Sequence, residues 1–128
     1  MLTLHLDSPV PLAEQIAAGI RRALASGELA VGATLPTVRQ LAGDLGVNLN
    51  TVARAYQALE AQGLVLTAGR HGTHVRAGRM ARPAARAVAA EIKARLATAL
   101  ADAALAGFDR EHLVALTRSH LDSFLPED

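Results

Sequence analysis

The stretch TVRQLAGDLGVNLNTVARAYQALE, Thr37 to Glu60, decides how this chain is read. It opens with the pattern of a capping box, in which Thr37 accepts from the backbone N–H of Gln40 while the Gln40 side chain reaches back. Val38, Leu41, Ala42 and Leu45 then share one helical stripe, and Gly46 stands where a helix stops in the left-handed conformation. Asn48 is a good N-cap for a further helix. Val47 and Val52 are spaced for a hydrophobic staple across that cap. At about 100° per residue, Val52, Ala55, Tyr56 and Leu59 point one way and Asn50, Arg54 and Gln57 the other. Gly63 closes the segment. The sequence therefore predicts two short helices joined by a tight glycine turn, the helix-turn-helix pattern.

Working outward, a helix is predicted upstream from Pro11 to Ser26, with Leu12, Ile16, Ile20, Ala23 and Leu24 on a broad apolar stripe. The following GELAVGATLP is a turn-rich crossing that could hold a short strand. Downstream, LVLTAGRHGTHV reads as a β-hairpin, with strands at Leu64–Thr67 and Thr73–Val75 and Gly69 and Gly72 in the turn. Helix, helix-turn-helix and hairpin in that order predict a winged helix-turn-helix over residues 1–76. Such a unit sets the N-terminal part of its recognition helix into the major groove of double-stranded DNA. Asn50, Thr51 and Arg54 are the candidate readers, because asparagine pairs bidentately with adenine and arginine with guanine. Arg39 is placed for a phosphate or an outer base. Free N–H groups at both helix starts suit phosphate oxygens. Arg70, His71 and Gly72 form a wing tip suited to the minor groove, whose negative potential attracts arginine.

Composition narrows the alternatives. With one Tyr, two Phe and no Trp, the chain lacks the aromatic platforms of single-stranded nucleic-acid binders. The absence of Cys excludes disulfides, zinc fingers and thiol nucleophiles. No apolar run approaches the ~20 residues of a membrane span, and MLTLHLDSPVPLAEQ lacks the layout of a secretory signal, so a cytoplasmic setting is expected. Net charge is only +1, yet Ala61 to Ala90 contains no acid and five arginines, at 70, 76, 79, 82 and 86. That window can meet phosphate even in a nearly neutral chain. No Ser-His-Asp, phosphate-loop or paired-carboxylate pattern points to an enzyme. His112 and His120 lie eight residues apart, which argues against a metal site, and no cofactor is expected. A winged-helix protein-interaction module and a nonspecific architectural DNA binder are the rival readings.

The run from Pro11 to Val75 resembles the DNA-binding domain of the GntR family of bacterial regulators. The resemblance is carried by PLAEQIAAGIRRALASGELAVGATLPTVRQLA, LGVNLNTVARAYQALEAQGLV and GRHGTHV, and it covers about half the chain. It implies DNA contacts from Arg39, from the recognition-helix start at Asn48 to Thr51 with Arg54 beyond, and from Arg70, His71 and Gly72. NLNTVARAY is similar to the small YtrA-type branch. Many family members carry Arg one residue after the recognition-helix cap, where this chain has Leu49. Leu49 cannot donate a hydrogen bond, and two roles stay open for it: touching a thymine methyl or packing against the wing.

Residues 77–83 read as a basic linker and 84–128 as a two-helix segment. The first of these helices carries an apolar stripe through Val88, Ile92, Leu96 and Leu100. After Gly107, Asp109 caps a second, with Leu113, Leu116, His120, Leu121 and Phe124 on one face and Pro126 at its close. Two amphipathic helices cannot bury both faces alone. Pairing with a second copy gives a four-helix arrangement, so Val88, Ile92, Leu96, Leu100, Leu113, Leu116, Leu121 and Phe124 are the expected dimerisation residues. The YtrA-type resemblance implies the same homodimer. A twofold dimer reads a palindromic site. The resemblance also implies repression. Nothing in this segment forms a recognisable pocket, although a cavity at the dimer interface could take a small-molecule effector. The expected class is thus mainly α with a small β-hairpin: a winged helix-turn-helix followed by a two-helix dimerisation segment.

Overall fold

The computed structural model describes residues 2–68 and 72–127. The elements are α1 (Leu12–Ser26), β1 (Thr34–Leu35), α2 (Val38–Leu45), α3 (Leu49–Ala61), β2 (Val65–Thr67), β3 (Thr73–Val75), α4 (Arg82–Leu105) and α5 (Arg110–Phe124). They form two compact units, residues 1–81 and 82–128.

In the first unit, α1 begins one residue later than the sequence suggests. Pro11 keeps an extended ψ of 144° and serves as the N-cap, its carbonyl accepting from Gln15 N at 3.1 Å. The helix buries Ile16, Ala17, Ile20 and Ala23 and stops at Gly27, whose φ of 82° only glycine adopts cheaply. Gln15 also fastens the preceding segment: its Oε1 accepts from His5 N (2.8 Å), and its Nε2 donates to His5 O (3.0 Å) and Val10 O (2.9 Å).

Both halves of the Thr37–Gln40 capping box form, at 3.1 and 2.9 Å. Gly46 ends α2 at φ 69°, and the chain enters α3 directly at its cap, Asn48. The short strand in the crossing exists, but it does more than the sequence suggested. β1 pairs antiparallel with β3, which also pairs with β2, giving a three-stranded sheet in the order β1-β3-β2. The wing is therefore a sheet and not an isolated hairpin, and hydrogen bonds hold it to the α1–α2 crossing.

Ile16, Ile20, Leu35, Leu41, Val52, Tyr56, Leu59 and Val65 meet in one core, with Leu2 and Leu4 packed against it. Built from aliphatic side chains around a single aromatic ring, this core depends on close interdigitation of helices. The expected linker also belongs partly to this unit. Ala77 N donates to Leu64 O (3.3 Å) and Ala81 N to Gln62 O (2.9 Å), while Met80 packs on the core. Arg82 and Pro83 already lie in α4, since proline is tolerated in a first helical turn.

In the second unit, α4 runs 24 residues, about 36 Å at 1.5 Å per residue. Gly107 turns the chain at φ 91°. The Asp109 carboxylate then caps α5, accepting from His112 N at 2.7 Å. Neither helix buries a residue within the chain.

Candidate nucleic-acid interface

The recognition-helix geometry is fixed from below. Val52, Ala55, Tyr56 and Leu59 anchor one side of α3 in the core. Tyr56 is 2% exposed, and its hydroxyl donates to the carbonyl of Pro36 at 2.6 Å. Burial pushes that phenol up from 10.0 to about 12, because the phenolate would be poorly solvated there. Pro36 immediately precedes the α2 cap, so this bond ties α3 to the start of α2. Sequence reading counted Tyr56 only as part of an apolar stripe. The sole hint was that a buried tyrosine usually finds a partner for its hydroxyl.

Asn50, Arg54 and Gln57 stand exposed on the opposite side of α3, and Arg39 is exposed as the second residue of α2. Among the described residues the ion pairs are Arg21–Glu14 (2.8 Å) and Arg95–Glu91 (2.7 Å), so neither Arg39 nor Arg54 is neutralised by a carboxylate. Asn48 is exposed but partly committed: its Oδ1 accepts from Asn50 N at 2.7 Å, leaving its amide donors for an outside partner. Thr51 departs from expectation. It is only 9% exposed, because its place on the wheel falls about 100° from Val52 and 40° from Ala55, on the flank that packs inward. Little of it is available to a base edge. Leu49 is the first residue of α3 and 44% exposed.

On the wing, Gly72 has φ 77°, and its carbonyl accepts from Ala68 N at 2.9 Å, closing the hairpin. Among the described residues nothing lies within 4 Å of where a Cβ would stand, so none of them blocks close approach to the backbone there. Arg70 and His71 lie outside the described residues. Thr67 Oγ1 and Thr73 Oγ1 are 3.2 Å apart across the hairpin, and Thr34 Oγ1 lies 3.2 Å from His74 Nδ1 across the other pair of strands. His74 is thus engaged within the sheet. Among the described residues no three His, Asp or Glu side chains gather as metal ligands would.

In the second unit, Ile92, Leu96, Leu100, Leu116 and Leu121 are about half exposed, and Val88, Leu113 and Phe124 are partly covered. An open groove of about 960 Å³ runs between the end of α4 and α5, lined by Leu100, Phe108, Leu113 and Leu121 with Arg118 and Asp122. No helix among the described residues is long and apolar enough to cross a membrane.

Residues 12–75 match the family described as bacterial regulatory proteins, gntR family. The chain is 45% identical over 74 residues to the HTH-type transcriptional regulator Rv1152 of Mycobacterium tuberculosis, an alignment covering 58% of this chain and 61% of that protein. It is 35% identical over 75 residues to the HTH-type transcriptional repressor YtrA of Bacillus subtilis, covering 59% of this chain and 58% of the relative. The alignments thus span about three fifths of the length of these relatives. Among solved structures it is similar to a transcriptional antiterminator from Listeria monocytogenes EGD-e. There the TM-score is 0.77 at 28% identity, covering 100% of this chain and 95% of that one.

Proposed function

Starting from the fact that this chain belongs to the GntR family of bacterial regulatory proteins, in its YtrA-type branch, we propose that it is a sequence-specific DNA-binding transcription repressor. In this reading it acts as a homodimer on a palindromic operator in the cytoplasm. The observation that carries the proposal is the exposed face of α3. Asn50 and Arg54 stand there one turn apart, with Arg39 exposed at the start of α2 and, among the described residues, no carboxylate paired with either arginine. Asn50 suits adenine and Arg54 guanine. Arg39 and the Asn48 amide suit phosphates or outer bases, and Gly72, with Arg70 and His71, suits the minor groove.

Dimerisation through the second unit is supported by its unburied apolar faces. Two helices that bury no residue within their own chain leave Ile92, Leu96, Leu100, Leu116 and Leu121 for a partner copy, and a four-helix arrangement would cover them. Repression is supported by similarity to the Bacillus subtilis relative named a repressor.

Fluorescence anisotropy tests this with promoter DNA from upstream of the chain's own gene, scrambled DNA as control, and two salt concentrations. Preference for the promoter, weakening with salt through counterion release, and a reduced preference in Arg54→Ala are expected. Equal binding to both duplexes makes the protein an architectural binder. No binding by a folded dimer turns the reading toward a protein-interaction winged helix.

A further inference from the structure

The base-reading end of α3 carries one group that hydrogen bonding does not explain. Leu49, its first residue, is 44% exposed, while the neighbouring apolar residues Val52, Ala55 and Tyr56 are at most 2% exposed. Leu49 is therefore outside the core that anchors the helix. On the wheel it stands about 100° from Asn50 and about 40° from Ala53, the residue one turn further on. The entering end of the helix thus carries two strips side by side. Asn50 and Arg54 are polar and exposed, whereas the exposed Leu49 and the half-buried Ala53 are apolar.

Double-stranded DNA offers one apolar group in the major groove, the C5 methyl of thymine. Consecutive Cα atoms lie about 3.8 Å apart, close to the ~3.4 Å between successive bases on a strand. Neighbouring residues at the start of a helix can therefore meet neighbouring bases. We propose that Leu49 is a specificity-determining residue that packs on the methyl of a thymine beside the base contacted by Asn50. Each half-site then requires a thymine at that position. This rests on the DNA-binding reading above and adds the identity of one base to it.

The test separates the two. The full chain selects duplexes from a random-sequence pool, and each thymine of the enriched duplex is replaced singly by deoxyuridine, which removes the methyl and keeps every hydrogen-bonding group. One position per half-site should weaken binding about four-fold, the value of burying a single methyl-sized group. The same replacement should leave Leu49→Ala binding unchanged. A thermal melt confirms that this variant, altered at a half-exposed site, remains folded. Enrichment without any methyl-dependent position, or equal losses for both proteins at every position, overturns the assignment and leaves DNA binding standing. Failure to enrich any sequence overturns both.

Discussion

Replacing Tyr56 by Phe removes one oxygen atom and tests how the recognition helix is held. The hydroxyl donates to Pro36 O at 2.6 Å from a residue that is 2% exposed. Losing a hydrogen bond of this kind costs about 1 kcal/mol. The pH dependence is a sharper signature. The phenol is pushed up to about 12 in the folded chain against 10.0 in the unfolded one. Because the neutral form is favoured by folding, its contribution is fully present below pH 10. It is lost as pH rises from about 10 to about 12, a change on the order of 2–3 kcal/mol at 1.36 kcal/mol per unit. Tyr56 is the only tyrosine and there is no tryptophan, so tyrosinate absorbance follows this single group without interference. The expected result is a native-state transition near 12 that falls to near 10 in urea. Urea-unfolding curves across the same range should show a steeper alkaline loss for the parent than for Tyr56→Phe. A tyrosinate transition near 10 in the folded protein, or the same alkaline loss in both proteins, would refute the reasoning.

Arg54→Ala should remove about 1–3 kcal/mol of discrimination between promoter and scrambled DNA, measured by anisotropy, while leaving the melting temperature unchanged. Thr37→Ala breaks a capping box formed by bonds of 2.9 and 3.1 Å and should cost about 0.5–2 kcal/mol in urea unfolding. Leu59→Ala, at a residue with 0% exposure, should cost about 2–5 kcal/mol by the same assay. On the proposed homodimer, Leu121→Glu, on the open face of α5, should shift sedimentation from dimer toward monomer while the melting transition of the chain shows it still folded.

Much of the architecture was legible because its signals are local. The Thr37–Gln40 box, the left-handed Gly46 and the Asn48 cap each depend on residues within a few positions, and each formed where the pattern indicated. The partnership of β1 was not legible. Thr34 and Leu35 lie in a crossing that could hold a short strand, but nothing local names its partners, His74 and Thr73, some forty positions away. Thr51 shows the limit of reading a helix by residue type: a hydroxyl suggests an outward role, but helical phase turns it inward. Met80 and Ala81 show a similar limit for linkers. A stretch rich in Arg and Gly reads as free, yet one methionine and a few backbone hydrogen bonds bind it to the core from Ala77 to Ala81.

The segment Thr34–Thr37 has a consequence for how contacts on DNA are organised. Thr34 and Leu35 hydrogen-bond to the wing strand, Pro36 receives the hydroxyl of the recognition helix, and Thr37 caps the helix that carries Arg39. Three candidate DNA-facing elements therefore take their bearings from four consecutive residues. Their relative positions are settled during folding, so docking need not meet the entropy of arranging them afresh. Individual reading residues on α3 can then be exchanged to retarget the protein, whereas truncation of Leu35, 2% exposed in the core, would disturb the segment from which wing and helices are both positioned.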